Sequence, residues 1–509
     1  MEREATARGK PRTASSDVEA DIGALPDPES GPESPAGSLA AAAALSPRER
    51  RAQTRGEILQ LAWPVMLSML LASIVGAIDV LMVKELGAVA QAAVGVGAQV
   101  FMLAQAVLFA LSFACVALMA RAIGAGQRDE ARHALAGALI LALATSLLLF
   151  AVFGIQPGWI LALIGIESDV AAATTIYLRL VMAAAILMSV CLTIESALRA
   201  NRDTFTPMLV TGVVTVAKIG LNPLLIFGAG GFVPALGLAG AGWATLGAQC
   251  VALLAFAFVT LRASPDGPLG VRARDFRPAR AMIAPLVRVS LPGVGERLIL
   301  QVAMLTYLTA VGTFGTYATA AYSIGVRLLS FSWIPGNGFS QAAATIVGQA
   351  LGAGDLKKAE RAAKRAASLA VGVAVVMGAI AFFADRPIAE FSAADPHTAE
   401  ALIPFMMCLA LAQPFMQLHF TLAGAFRGAG DTVTPLYAAF VGNWLFRVPL
   451  AFLVANVWHL PLIWIWLTLI LDHIARAVWL LVSFMRGRWR RREHDLAALS
   501  AGSRARRRS

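Results

Sequence analysis

Charge is scarce in this 509-residue sequence: Asp, Glu, Lys and Arg together make up 14% of it, where an average soluble domain carries about 25%. A chain that is 58% apolar, with mean hydropathy +0.70, cannot cover a water-facing surface with so few charges, so a soluble enzyme is excluded. Cysteine is equally sparse. Cys115, Cys191, Cys250 and Cys408 stand far apart in apolar runs, without metal-ligand spacing, and read as small core residues. Neither a serine triad nor a zinc-site pattern is present, and His419, His459 and His473 read as isolated packing or interfacial residues. No enzyme activity and no metal or organic cofactor is expected. No apolar core follows a basic start at the N-terminus, which argues against a secretory signal; residues 1–55, rich in Ala, Pro, Ser, Gly and Glu, read as a disordered tail.

Abundant instead are apolar stretches of about 20 residues, the length that crosses about 30 Å of hydrocarbon as a helix. Twelve are expected, near 59–83, 91–121, 135–154, 171–198, 207–228, 239–261, 287–311, 318–350, 367–384, 401–425, 436–456 and 462–485. The expected fold class is an all-α membrane protein with twelve transmembrane helices in two pseudo-symmetric six-helix lobes. Residues 56–261 form the N-lobe, 262–286 a cytoplasmic linker, 287–485 the C-lobe and 486–509 a basic tail.

The formal net charge of +11 is a topology signal. Arg121, Arg128, Arg132, Arg199, Arg202, the linker arginines, Lys357, Lys358 and the tail all fall on one side if both termini are cytoplasmic, whereas the other side's loops hold Lys84 and Arg386. A cell-membrane location follows, with lipid as a partner and no nucleic acid, because the basic residues are dispersed along one membrane face.

The halves align without gaps at an offset of 228 residues. Pro64 meets Pro292, Gly87 meets Gly315, Gly124-Ala125-Gly126 meets Gly352-Ala353-Gly354, and Arg199 with Asp203-Thr204 and Thr206-Pro207 meets Arg427 with Asp431-Thr432 and Thr434-Pro435. Six spans per half give both lobes the same orientation, so a pseudo-two-fold axis along the membrane normal should relate them. Two such lobes enclose a cleft that rocking can open to alternate sides. Pro335, Gly336 and Pro414 suggest kinks for that motion, and aromatics such as Phe331, Trp333, Phe339, Phe415 and Trp444 are candidate cleft residues.

These motifs, together with Ile78-Asp79-Val80-Leu81-Met82-Val83 and Leu221-Asn222-Pro223-Leu224-Leu225-Ile226-Phe227-Gly228, resemble the multidrug and toxic compound extrusion (MATE) family of secondary transporters over residues 55–485. The resemblance implies export of amphipathic, often cationic, small molecules against an inward flow of H⁺ or Na⁺, the coupling ion standing where a cofactor would. Asp79 matches the family's first-helix acid, and Thr245 its sixth-helix threonine.

Ionisable residues inside a bilayer are costly and mark candidate sites. Counted at about 1.5 Å per residue, Asp79 and Asn222 both lie roughly 22 Å deep, with Lys218 about one turn away. Lys218 stands where members with a cation site in this lobe carry a polar or acidic residue. Its ammonium would take the place of Na⁺ beside Asp79, which favours H⁺ over Na⁺ coupling; a static ion pair between two helices is the plainer reading. In the C-lobe, Arg327 and Arg447 fall near mid-membrane, and Glu296 is the expected counter-charge. That set is either a structural network or an attraction for an anionic substrate or lipid headgroup. Glu195–Arg199 and Asp472–Arg476 are spaced for local i,i+4 pairing near the cytoplasmic side. The reading is a proton-coupled exporter, expected to be a monomer; a lipid-linked precursor flippase of the same superfamily and a non-transporting membrane scaffold are the alternatives.

Overall fold

The computed structural model describes residues 47–228, 233–393 and 395–490. The expected tail up to residue 46 and the basic tail beyond residue 490 lie outside them. The chain from Arg51 onward forms one compact unit.

In chain order the helices are α1 (Pro47–Lys84), α2 (Ala88–Gly124), α3 (Arg128–Leu149, continued by a π-helical turn at Phe150–Ile155), the short α4 (Gly158–Ile164), α5 (Ser168–Ala200), α6 (Phe205–Ile226) and α7 (Gly237–Arg262). After a 3-10 turn at Ala273–Asp275 come α8 (Phe276–Gly312), α9 (Thr316–Gly352), α10 (Leu356–Phe383), the short α11 (Asp385–Ser392) and α12 (Pro396–Gly428). The eleventh crossing is α13 (Val433–Phe440), a π-helical stretch Val441–Arg447, α14 (Val448–Phe452) and a second π-helical stretch Leu453–Val457; α15 (Ile463–Met485) closes the bundle. Among the described residues, eleven crossings are long and apolar enough to span a bilayer. The twelfth, α9, is as long as α2 but more polar, carrying Arg327, Ser330, Ser332, Asn337 and Gln341. The twelve-helix, two-lobe architecture expected from the sequence is therefore present.

Two boundaries differ from expectation. Helix α1 begins at Pro47, inside the expected tail, and α8 begins at Phe276, inside the expected linker. In α8 the cause is visible: Ala279 and Leu286 are buried while Arg277 and Arg280 face out, so this Arg-rich stretch is an amphipathic turn that continues the helix.

The repeat holds at helix level, since Ala88–Gly124 and Ser168–Ala200 reappear as Thr316–Gly352 and Pro396–Gly428 at the same offset. Its motifs are helix caps. Asp203 accepts from the Thr206 amide at 2.9 Å, and Asp431 from the Thr434 amide at 3.0 Å, which opens α6 and α13. Gly126 and Gly354 adopt left-handed φ values of 70° and 75°, which ends α2 and α9 without a Cβ penalty. The short helices α4 and α11 are repeat mates too; they expose Leu163 and Phe391 (78% and 93%), as helices lying along a membrane interface would.

Core packing shows where the lobes join. Ile58, Leu61 and Ala62 of α1 are buried among α9, α10 and α12, while their mates Leu286 and Val289 of α8 are buried among α2, α3 and α5. Each lobe's first helix thus packs into the other lobe, at the end that carries the basic loops. Towards the opposite face the cores are separate: one is built wholly from residues 303–470, others wholly from residues 83–241. The lobes meet at the basic face, and towards the other face each lobe has its own core. Of the four cysteines, Cys250 is exposed, a correction to its reading as a core residue; the other three are buried.

Candidate functional site

Asp79 stands on α1 and meets α6 inside the N-lobe. Lys218 Nζ donates to Asp79 Oδ2 at 2.5 Å, and Asn222 Nδ2 donates to Asp79 Oδ1 at 2.5 Å. One helical turn separates Lys218 from Asn222, so both point to the same side of α6. Asn222 is buried at 2% exposure and its Oδ1 has no hydrogen-bond partner. The carboxylate thus receives two donors, one of them charged, while an amide oxygen beside it is left over. Such a cluster can take up a proton at the carboxylate and release the ammonium. Thr245 does not join it: its hydroxyl donates to the Ala241 carbonyl of its own helix at 3.0 Å.

The C-lobe departs from the expected pairing. Glu296 does not face Arg327 or Arg447; its Oε1 accepts from Arg427 Nη2 at 2.7 Å, and the Arg427 guanidinium lies 5.0 Å from the ring of Phe113 on α2 of the other lobe. The acid on α8 meets the arginine that ends α12, whose repeat mate Arg199 pairs instead with Glu195 on its own helix. Arg447 finds its anion on α15. Its Nη1 is 3.8 Å from Asp472 Oδ2, its Nη2 is 3.5 Å from the Tyr322 hydroxyl, and its guanidinium stacks 4.5 Å from the Tyr307 ring.

Asp472 is fully buried and also accepts twice from Arg476, at 2.6 and 2.7 Å. The expectation of a local pair near the cytoplasmic side is corrected, because this aspartate ties two crossings together in mid-helix. His419 and His473 are not isolated either: their rings stack and Nε2 of one lies 3.0 Å from Nδ1 of the other, joining α12 to α15. The π-helical stretch Val441–Arg447 positions Arg447, since its wider turn changes the direction of the residues that follow. Gly442 in that stretch lies against Asp472 so closely that a Cβ there would overlap Oδ1.

Arg327 stands apart. It is exposed on α9, and among the described residues no carboxylate forms an ion pair with it. Of the candidate aromatics, Phe331 is exposed and Phe339 is buried at 1%.

A third constellation, at the basic face, consists of the repeated motifs themselves. Helices α2 and α9 cross at Gly124 and Gly352. A Cβ on Gly124 would overlap the Gln349 carbonyl oxygen, and a Cβ on Gly352 would overlap that of Arg121, the repeat mate of Gln349. Around this crossing, Arg121 Nη1 donates to the Ala429 carbonyl at 3.3 Å, Gln349 Nε2 to the Ala200 carbonyl at 2.7 Å, Thr345 to the Arg199 carbonyl at 3.2 Å, and Arg202 Nε to Gln349 Oε1 at 2.5 Å. Arg202 holds a left-handed φ of 65° where its mate is Gly430 (φ 76°), a strained backbone retained at an inter-lobe bond. The sequence marks these positions as a repeat and helix ends, without indicating that they close one lobe on the other.

Comparison with known proteins gives one consistent result. The MatE family model matches residues 64–224 and again 292–453, once per lobe. The chain is 28% identical over 453 residues to the probable multidrug resistance protein NorM of Thermotoga maritima, covering 88% of this chain and 95% of that protein. It is 27% identical over 458 residues to the NorM protein of Brucella suis, covering 87% and 94%. Among solved structures it resembles the Vibrio cholerae MATE transporter VcmN in its bent form (TM-score 0.79, 19% identity, 87% and 98% covered). It also resembles an outward-facing multidrug resistance MATE family transporter (TM-score 0.78, 24% identity, 88% and 96% covered).

Proposed function

The chain belongs to the MatE family, a family of membrane transporters, and from that premise we propose that it is a secondary active exporter of amphipathic organic compounds driven by protons that bind at Asp79. The names of its NorM relatives support the substrate class. The observation that carries the coupling ion is the Lys218 ammonium, 2.5 Å from Asp79. A fixed cation in that position repels Na⁺ and leaves the carboxylate nothing to exchange but a proton.

The positive-inside rule assigns the basic face to the cytoplasm, with both termini on that side of the cell membrane. The α2–α9 crossing joins the lobes there, which supports reading this conformation as the outward-open member of an alternating-access pair. In this state Asp79 accepts hydrogen bonds from Lys218 and Asn222. A proton arriving from the open side neutralises it and frees Lys218 from α1. The α1–α6 contact then loosens, and because α1 also packs into the C-lobe through Ile58, Leu61 and Ala62, the change reaches the inter-lobe seam. Outside acidity thereby drives the cycle in the export direction.

Efflux from proteoliposomes under separately imposed H⁺ and Na⁺ gradients tests this reading. A rate that follows the pH gradient and ignores Na⁺ is expected; a Na⁺-dependent, pH-independent rate overturns it.

A further inference from the structure

Among the described residues Arg327 forms no ion pair with a carboxylate, and its helix shows what it faces. Successive turns of α9 below it contact the other lobe. Gly338, about three turns on, lies against Ala62 and Met66 of α1; Thr345, about five turns on and in the same angular position, bonds to the Arg199 carbonyl; Gly352 lies against Arg121. By helical periodicity Arg327 lies on the stripe that meets N-lobe residues from Gly338 to Gly352. Where the lobes part, Arg327 faces the cleft, roughly 16 Å from the start of α9 at about 1.5 Å per residue. A guanidinium facing hydrocarbon at that depth is costly, so a water-filled cleft suits it.

The repeat mate of Arg327 is Gln99 on α2, also exposed, and the pseudo-two-fold relation between the lobes gives it the equivalent position in the N-lobe. Its stripe on α2 faces the C-lobe in the same way: Ala110 lies against Gly293, and Gly124 against Gln349. The cleft is thus charged on one wall and neutral on the other. Ser323 and Ser330 lie within a turn or so of Arg327 on α9, and Phe331 on α9 and Met102 and Phe109 on α2 are exposed (51%, 51% and 38%).

We propose that Arg327 selects the substrate: the cleft takes an amphipathic molecule bearing a carboxylate, sulfonate or phosphate, which the guanidinium binds while the apolar body lies against Met102, Phe109 and Phe331. This rests on the export reading and narrows it. Purely cationic compounds are disfavoured, in contrast to what the family resemblance implies.

Two dyes that share a xanthene body, cationic rhodamine 6G and anionic sulforhodamine B, separate the possibilities. Binding is measured by fluorescence anisotropy on the full chain in phosphatidylcholine nanodiscs. Arg327→Gln should weaken sulforhodamine B about tenfold, the scale of one charge-assisted hydrogen bond, and leave rhodamine 6G unchanged or tighter. Moving the charge across the pseudo-axis in the Gln99→Arg, Arg327→Gln double variant should restore the anionic dye, which a merely structural arginine would not allow. Unchanged sulforhodamine B affinity in Arg327→Gln overturns the proposal.

Efflux under a pH gradient keeps the two claims apart. If rhodamine 6G is exported while sulforhodamine B neither binds nor moves, the anion site fails and the export reading stands. If sulforhodamine B binding depends on Arg327 but neither dye moves, the export reading fails and the site stands. Competition by phosphatidylglycerol would make a lipid phosphate the natural ligand, and its absence a free amphiphile; Arg327 binds the anion in both cases.

Discussion

Replacing Gly352 by alanine tests the basic-face closure. A Cβ there would sit 2.9 Å from the Arg121 carbonyl carbon, and one on Gly124 would sit 2.7 Å from that of Gln349. Carbon atoms pack at about 3.5–4.0 Å, so α2 and α9 must separate by roughly 1 Å. Both obstructing groups are backbone, so no side chain can swing aside. Overpacking of this kind costs about 1–3 kcal/mol, and the inter-lobe bonds of Arg121, Gln349, Thr345 and Arg202 would lengthen with it. Because the clash exists only while the lobes are closed here, the cost falls on the outward-open state alone. At about 1.4 kcal/mol per tenfold, its population relative to the inward-open state should fall by about fivefold to somewhat over a hundredfold.

Double electron–electron resonance reads this directly, with spin labels on the exposed mates Arg128→Cys and Leu356→Cys at the basic face and Val89→Cys and Tyr317→Cys at the other. The exposed Cys250 is changed to serine in the same background. Gly352→Ala should lengthen the first distance and shorten the second, and Gly124→Ala should do the same. If both distance distributions stay as in the parent while the variants remain folded, the crossing is not the closure point and the argument fails.

Other outcomes follow from the same contacts. Asp472→Ala leaves Arg447 and Arg476 buried without their shared anion and should destabilise the C-lobe by about 3–5 kcal/mol in detergent unfolding; a loss under 1 kcal/mol would mean that the arginines find other partners. Asp395 caps α12, accepting from the amide and hydroxyl of Thr398, and these bonds hold its carboxyl below the usual range. A lowered folded-state value means that the cap's contribution is present above the ordinary carboxylate range and is lost as pH falls through the folded-state value. Asp395→Ala should therefore lower the melting temperature at pH 7, with the gap to the parent closing in strong acid; a gap that does not depend on pH contradicts this. Arg202→Gly removes the left-handed strain together with the Gln349 bond, and should open the basic face without lowering the melting temperature; the same labels report the opening.

The sequence carried much of this in periodic features. Span lengths, basic loops and a single offset were enough for the helices and the two lobes, because bilayer thickness and gene-scale repetition leave one-dimensional traces. Helical rise alone put Asp79 and Asn222 at one depth with Lys218 about one turn away, and in the structure both α6 residues touch Asp79. Depth, however, gives no rotation about the helix axis. Glu296, Arg327 and Arg447 share a lobe, yet Glu296 meets Arg427 near the basic face, Arg447 meets Asp472, and Arg327 forms no ion pair among the described residues. The π-helical stretch ending at Arg447 redirects that side chain, and nothing in Val441–Arg447 announces the wider turn. Asp472–Arg476 shows a further limit: an i,i+4 pair looks the same in sequence on a wet helix face and in a buried core. Thr245 matched a family position, but a threonine hydroxyl in a helix has its own carbonyl as a ready partner, and here it takes it.

The most direct test of proton coupling at Asp79 compares two modes of transport in the same proteoliposomes. The Asp79→Asn, Lys218→Met double variant keeps both positions uncharged and so leaves neither partner as an unpaired charge. It should still exchange labelled for unlabelled substrate down a concentration gradient, yet fail to accumulate substrate uphill when an inward proton gradient is imposed, while the parent does both. Uphill accumulation by the variant at the parent's level would show that protons drive transport through some other group.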